Sequence, residues 1–182
     1  MNYLVYAAIL GYACWLGSEL VEIAQGGYTP TVYYLTAAFH AFAGIGIWGV
    51  HFLQARAKNT LSAVGTTMAS LSYLSLIYLP IQVMHSGLSA SEFRAANPFY
   101  MIPGMINVVG LILFGIAVVR TKFFPAWTGV IIISGIILFA AAMTQGLHLV
   151  ANINNILLSS TIIYMCIWGC RQPQHHNAFS AQ

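Results

Sequence analysis

The chain has 182 residues, of which 59% are hydrophobic and only 5% are charged, and its mean hydropathy is +0.80. A water-soluble surface cannot be assembled from so few charges, so the composition predicts an integral membrane protein. Six Lys or Arg residues against three Asp or Glu residues give a net charge of +3, but the cations stand singly or in pairs beside apolar runs. Such cations set membrane topology, and the lack of a basic patch with interleaved aromatic residues excludes nucleic acid as a partner.

Six apolar segments are long enough to cross a bilayer, which takes about 20 residues. They cover residues 3–24, 31–53, 61–85, 99–119, 127–149 and 153–170. The tightest turn is expected at 148–155, where three Asn residues can satisfy the groups at helix ends. The sequence therefore predicts an all-α fold, with a polytopic bundle of six transmembrane helices over 1–172 and a short cytoplasmic tail over 173–182.

The positions of the cations predict the orientation of the bundle. Five of the six cations fall on one side of the predicted helices, namely Arg56, Lys58, Arg120, Lys122 and Arg171. The positive-inside rule makes that side cytoplasmic, together with both termini. The sixth cation, Arg94, lies on the other side beside Glu92, which nearly cancels its charge.

The longest connection on the outer side, 85–98, has a polar composition of its own. Ser89 or Ser91 can cap a short helix there, and the Asn-Pro pair at 97–98 then ends it. We expect an amphipathic segment on the outer face, either as a polar loop that shields helix ends or as a gate. Pro80, inside the third segment, is expected to kink that helix.

The second half of the chain contains a series of motifs that is useful for comparison. A polar connection from about His85 leads to a Gly-rich segment that ends in Phe-Gly-Ile-Ala-Val-Val-Arg at 114–120, and Phe-Phe-Pro-Ala-Trp-Thr-Gly-Val follows at 123–130. This arrangement, over about half of the chain, resembles a broad class of small uncharacterised bacterial integral membrane proteins with six helices. The resemblance implies six helices and a location in the bacterial inner (cytoplasmic) membrane, and it brings no assigned activity.

Two of the three acidic residues, Glu19 and Glu22, lie inside the first apolar segment. A charged side chain at a helix centre costs about 2.5–3.5 kcal/mol on insertion scales, so it usually faces the protein interior or water. The two residues are spaced i, i+3 and share a helix face. Because like charges in a low dielectric resist joint ionisation, one of them is expected to hold a proton unless a cation compensates.

Two further polar pairs are predicted at the same depth, because the third and fifth helices run in the same direction as the first. They are Gln82 with His85 and Gln145 with His148, and each pair has the same i, i+3 spacing, which places two residues on one helix face. The three pairs predict a polar pocket in the outer half of the bundle. The simpler interpretation, that a residue ends its helix in the headgroup zone, is favoured for Glu22, His85 and His148. Glu19 is deeper and is expected to be buried with a partner.

The same side chains allow a cofactor hypothesis. The set that could ligate zinc, iron or manganese consists of Glu19, Glu22, His85 and His148, and two His on different helices could ligate haem b. His40, near the membrane midplane, is expected either to bind a proton or ligand or to form a hydrogen bond between helices. No single cofactor follows from these side chains, but a divalent metal and haem b are the classes they would hold.

The sequence lacks the signatures of proteases, esterases, nucleoside triphosphatases and dinucleotide enzymes, which removes the support for these classes. Three interpretations of function stay open. The first is an accessory or ligand-binding subunit without catalytic machinery, whose outer pocket holds a cation, a quinone or a lipid-like molecule. The second is a metal- or haem-dependent redox protein. The third is a small proton-coupled transporter that uses Glu19 and His40. The lipid bilayer is the first expected partner of the chain. Stripes of small residues also favour association with other proteins, either in a larger membrane complex or in a homo-oligomer.

Overall fold

The computed structural model describes residues 2–54 and 59–172, and this part of the chain is helical without any strand. The helices are α1 (Asn2–Gln25), α2 (Pro30–Gln54), α3 (Thr60–Ser75), α4 (Leu79–Ser86), α5 (Ala90–Ala96), α6 (Met101–Thr121), α7 (Ala126–Thr144) and α8 (His148–Arg171). Six stretches are long and apolar enough to cross a membrane, and α3 with α4 forms one of them. The predicted all-α fold with six spans is confirmed. Arg56, Lys58 and the predicted tail lie outside the described residues.

The six spans form a closed ring of neighbours. Each span packs on the next one in the chain, in the order α1, α2, α3, α6, α7 and α8, and α8 packs back on α1. A contact between α2 and α8 crosses the ring. The first and last spans are therefore neighbours, which no local feature of the sequence indicates.

Glycines let the helices approach closely and show that they run antiparallel. A Cβ on Gly46 of α2 would lie 2.2 Å from the backbone nitrogen of Ala8, and a Cβ on Gly49 would lie 2.6 Å from that of Val5. Residue numbers thus rise along α2 as they fall along α1. Such backbone contact is how helices associate in a membrane, where burial of apolar surface provides no drive.

The third span is interrupted as Pro80 predicts. Helix α3 ends at Ser75 and α4 begins at Leu79, with Pro80 in its first turn. The amide of Leu79 donates to the carbonyl of Leu76 over 3.1 Å, so the turn between the two helices satisfies part of its own backbone. After this turn α4 packs on α2.

The predicted short helix in the connection at 85–98 is confirmed as α5. Ser89 is its N-cap, and a capping box joins Ser89 to Glu92. The helix ends at Ala96, and Asn97 with Pro98 leads into a single 3-10 turn, Pro98–Tyr100. Phe93 holds α5 against the bundle, since only 9% of its surface is exposed.

The predicted boundary between the last two spans was wrong. Helix α7 ends at Thr144 rather than 149, and α8 begins at His148 rather than 153. Gly146 takes a left-handed φ of 69°, and the amide of Leu147 donates to the carbonyl of Ala142 over 2.9 Å, which is how a glycine ends a helix. The segment read as a turn is therefore the first two turns of α8.

The Asn residues of this segment are tolerated inside a helix because neighbouring helices supply their partners. Asn154 donates from Nδ2 to the carbonyl of Gly135 on α7 over 2.9 Å. Asn155 donates in the same way to a carboxylate on α1. Since these bonds are tertiary, the tendency of Asn to form turns does not decide the local structure.

Candidate functional site

The interface between α1 and α8 holds both carboxylates of the first span. Glu19 and Glu22 expose only 6% and 8% of their surfaces. The burial of Glu19 with a partner is as predicted. The headgroup interpretation of Glu22 requires an exposed side chain, so its burial is a difference from the favoured expectation.

Glu19 is held by a single hydrogen bond from another helix. Asn155 Nδ2 donates to Glu19 Oε1 over 2.9 Å. The second carboxylate oxygen, Glu19 Oε2, is buried and has no hydrogen-bond partner among the described residues, and the same is true of Asn155 Oδ1. A buried polar group without a partner typically costs about 1–3 kcal/mol. The pair thus contains two acceptor oxygens that are unused among the described residues.

Ser159 adds a third oxygen on the same face of α8, one turn beyond Asn155. It is fully buried, and its Oγ has no hydrogen-bond partner in the part of the chain that the structure describes. A helical Ser or Thr in this situation usually donates to the carbonyl four residues earlier, as Thr161 does to Leu157 over 2.8 Å. The hydroxyl of Ser159 does not use that local partner.

The register extends the site by one further turn. Because α1 and α8 run antiparallel, Asn152 lies about one turn from Asn155 in the direction that leads from Glu19 to Glu22. Asn152 is also buried, with 7% of its surface exposed. The register therefore places Asn152 at the level of Glu22, while Asn155 is bonded to Glu19. We call Glu19, Glu22, Asn152, Asn155 and Ser159 the carboxylate site.

Aromatic side chains lie at the end of the bundle beyond Glu22. Tyr28 and Tyr33 are stacked there, with ring centroids 5.5 Å apart. Although Tyr28 exposes 43% of its surface, burial of its hydroxyl raises its pKa, and the charges of Glu22 and Glu19 raise it further, whereas Arg94 lowers it. Tyr28 thus lies within electrostatic range of the carboxylate site and of the cation on α5.

The remaining predicted pairs are not gathered into this site. The four residues Gln82, His85, Gln145 and His148 are all exposed. Gln82 accepts a hydrogen bond from Tyr100, and His85 Nδ1 lies 2.8 Å from the carbonyl of Ile81 in its own helix. The expected shared helix face of Gln145 and His148 was wrong, because Gln145 follows α7 and His148 begins α8.

The reason for this separation is the lateral position of the helices. Counting residues gives the depth of a side chain, but α4 packs on α2 and α5 rather than forming an interface with α1. Among the described residues, no three His, Cys, Asp or Glu side chains meet in a group that could hold a metal ion. The predicted ligand set of Glu19, Glu22, His85 and His148 is thus not assembled. The metal ligands that the carboxylate site could offer are hard groups, namely the oxygens of carboxylates, carboxamides and a hydroxyl.

His40 lies in a different cluster, nearer the middle of the spans. Its ring packs between Phe39 and Tyr73, with centroid distances of 5.0 Å and 6.0 Å. His40 Nδ1 is buried and lacks a hydrogen-bond partner within the described ranges, so the expected bond between helices is not formed.

The residues missed from the sequence are those of α8. Asn152, Asn155 and Ser159 were hidden because the first two were assigned to a turn. Their spacing of i, i+3 and i+7 is that of one helix face within an otherwise apolar run, and this was the available signal. What no spacing could provide is the pairing of that face with α1.

The fold and the carboxylate site together define a multi-pass membrane protein in which the first and last spans share a buried carboxylate. Comparisons of the chain with protein-family models, with curated proteins and with solved structures find no match.

Proposed function

We propose that the chain is a small ligand-binding membrane protein and that the ligand at its carboxylate site is a small cation, either a proton or a hard metal ion. The observation that carries this proposal is Glu19 Oε2, a buried carboxylate oxygen without a partner among the described residues. A buried carboxylate without a counter-charge is costly, and a bound cation removes that cost.

The neighbouring oxygens support a cation over an anion or a lipid head group. Asn155 Oδ1 and Ser159 Oγ are also buried and unpartnered in the described chain, and Glu22 supplies a second carboxylate one turn away. Carboxylate, carbonyl and hydroxyl oxygens are the ligands that hard cations take in proteins. With both carboxylates ionised the site suits a divalent ion, and with one protonated it suits a monovalent ion.

The proposal includes a location and an orientation. We place the chain in a bacterial inner (cytoplasmic) membrane, with both termini in the cytoplasm and the carboxylate site in the outer half of the bundle. The cations Arg120, Lys122 and Arg171 support this orientation, since they lie at helix ends opposite the one that carries Glu22. Arg56 and Lys58, which supported it in the sequence, are not among the described residues.

Thermal unfolding of the purified protein in lipid nanodiscs tests the site. Li⁺, Na⁺, K⁺, Mg²⁺ and Ca²⁺ are each titrated at several pH values against a constant choline chloride background. A bound metal ion raises the unfolding midpoint, and the rise continues with the logarithm of the ion concentration above the Kd, reaching about 2.7 kcal/mol of stability at 100 times the Kd. If the proton is the ligand, the midpoint depends on pH and not on the added ion.

Glu19→Gln is expected to abolish whichever dependence is found. Glu92→Gln is the matched control, because it makes the same chemical change on the exposed helix α5 and should keep the response of the wild type above about pH 5. A response that is equal in the wild type and in Glu19→Gln would rule out the site.

Proton-coupled transport is the second candidate. It is favoured by His40, a second titratable side chain whose Nδ1 is buried and unpartnered in the described chain, at a different depth from Glu19. The test is proton uptake into proteoliposomes, followed with a trapped pH dye while a gradient of each cation is imposed. Cation-driven uptake that is lost in Glu19→Gln supports transport, whereas binding at the site without any flux leaves a binding protein.

A further inference from the structure

A second polar cluster lies near the middle of the spans. Tyr12 of α1 and Tyr73 of α3 are buried, and their hydroxyls are 3.2 Å apart. The carboxamide of Asn107 on α6 lies near the Tyr73 hydroxyl, and the ring of His40 on α2 lies 6.0 Å from that of Tyr73. Four helices therefore contribute one polar side chain each. Tyr12 precedes Glu19 by seven residues, about 10 Å along α1, so the two sites are distinct.

The hydrogen bonds within this cluster leave groups unused. The bond between the two tyrosines uses one hydroxyl hydrogen, and the other has no acceptor among the described residues. His40 Nδ1 and Asn107 Oδ1 are buried and have no partner in the same part of the chain. The cluster thus offers one hydroxyl donor, one carbonyl acceptor and one imidazole nitrogen, and it contains no charged side chain.

The surroundings of these groups are aromatic. Phe39 lies 5.4 Å from Tyr12 and 5.1 Å from Tyr73 between ring centroids, and Trp15 stacks on Phe39 at 4.3 Å. His40 is only half-buried, so its side chain reaches the surface of the bundle at a level where lipid chains surround it. A ligand that enters here comes from the bilayer, and it reaches aromatic side chains that pack on one another.

We infer that this cluster binds a neutral, planar, lipid-soluble molecule with ring oxygens, the chemistry of a quinone or quinol head group. A ring carbonyl accepts the unused tyrosine hydroxyl hydrogen, and a quinol hydroxyl donates to Asn107 Oδ1 or His40 Nδ1. Aromatic walls with a few polar groups are typical of sites for such ligands. The inference concerns binding alone and is independent of the function proposed for Glu19.

Tryptophan fluorescence tests the inference, because Trp15 stacks next to the cluster. The protein in nanodiscs is titrated with decylubiquinone and separately with menadione, and quenching in empty nanodiscs with a soluble indole gives the background. Saturable quenching by at least one probe is expected. Tyr73→Phe and His40→Leu should each weaken the binding about fivefold to tenfold, since each removes one hydrogen-bonding group.

Two variants keep the outcome specific. Tyr6→Phe makes the same chemical change as Tyr73→Phe at a position of α1 that is 64% exposed, and it should leave the affinity within about twofold. Glu19→Gln should also leave it unchanged, which separates this site from the carboxylate site. If Tyr73→Phe fails to elute as a folded protein, the half-buried positions His40→Leu and Asn107→Leu carry the test.

Three results would overturn the inference. The first is quenching by neither probe above background. The second is binding that survives Tyr73→Phe and His40→Leu, and the third is an equal loss in Tyr6→Phe. In each case the unused groups of the cluster do not form a quinone site.

Discussion

The carboxylate of Glu19 has Asn155 Nδ2 as its hydrogen-bond donor across the interface between α1 and α8, and the Trp15 side chain of its own helix also interacts with it. Hydrogen bonds to charged groups contribute about 1.5–3 kcal/mol. If the Asn155 donor is removed, the carboxylate stays buried without this bond, whereas removal of both groups leaves an apolar interface. The two cases have different costs, and this difference can be measured.

Asn155→Leu is therefore expected to lower the free energy of unfolding by about 1.5–3 kcal/mol, measured by denaturant titration in bicelles. Glu19→Leu alone leaves the carboxamide unpaired and should also destabilise. The double variant should be more stable than the sum of the two losses predicts, because neither polar group remains buried alone. Additive losses would mean that the bond observed at 2.9 Å does not couple the two side chains.

Glu92 shows the opposite case, a carboxylate that is exposed and well bonded. Its Oε2 accepts from the amide of Ser89 over 2.8 Å and from the Ser89 hydroxyl over 2.6 Å. These bonds hold the pKa of Glu92 below its ordinary range. A lowered pKa in the folded state means that the contribution to stability is present above the ordinary carboxyl pKa and is lost as the pH falls through the folded value.

The protection of the α5 amides from hydrogen exchange, after correction for the intrinsic rate, should hold between about pH 5 and 8 and decline below about pH 4. Mass spectrometry of peptides covering 90–96 gives the measurement. Ser89→Ala removes the cap itself, so protection should be low over the whole range. An acid-induced loss of equal size in Ser89→Ala would show that another group titrates.

At the scale of elements, Gly46 is the glycine of the described chain at which an added Cβ would meet the most severe clash. A Cβ there would lie 2.2 Å from the backbone nitrogen of Ala8, which cannot move aside without displacing α1. Gly46→Ala is expected to lower the free energy of unfolding by about 1–3 kcal/mol or more. The measurement is steric trapping or denaturant titration of the purified protein.

Gly104→Ala is the matched control for that experiment, since no atom of the described residues lies within 4 Å of a Cβ at this position of α6. There the substitution should be neutral or should stabilise by about 0.5–1 kcal/mol, because Ala is favoured over Gly within a helix. Equal effects at the two glycines would contradict the close packing of α1 on α2.

The number of spans could be predicted from the sequence because apolar length is a local property. The break before Pro80 and the cap at Ser89 were predictable for the same reason, since a proline or a capping serine acts on its own turn. The segment 148–155 was not, because its Asn side chains are bonded to α1 and α7, and those bonds override the local tendency to turn.

The candidate site was likewise predictable only where it depends on local features of the sequence. The sequence indicates that Glu19 needs a partner, since a carboxylate at membrane depth is costly, but it does not identify Asn155, which is 136 residues away. Counting residues predicts how deep Gln82 and His85 lie in the membrane, but it does not predict which helices they lie beside. The order of helices around the ring places α4 on α2, and that order follows from packing between distant segments.

At the scale of the whole molecule, closure of the ring by α1 and α8 makes the carboxylate site a product of the complete fold. The other four spans complete the ring between the first span and the last. A polar bond between these spans thus adds to the stability of the assembled bundle and not to that of any hairpin within it.

The orientation of the bundle can be tested with two positions on opposite faces of the membrane. Ser91 follows the third of the six spans and Cys170 lies at the end of the sixth, so an odd number of crossings separates them. Both are exposed. Under the proposed orientation Ser91 faces outward, whereas Cys170 is cytoplasmic beside Arg171, as the positive-inside rule requires.

A membrane-impermeant maleimide applied to spheroplasts should therefore label Ser91→Cys in a Cys170→Ser background, and it should label the native Cys170 only after the membrane is permeabilised. Cys166 is buried and Cys14 half-buried, so the single variant Cys170→Ser, without Ser91→Cys, gives the background. The reverse labelling pattern would mean that the bundle has the opposite orientation. Glu19 would then lie in the cytoplasmic half, where the ions that reach it come from inside the cell. Because the carboxylate site lies toward one end of the spans, this single result decides which compartment supplies its cation.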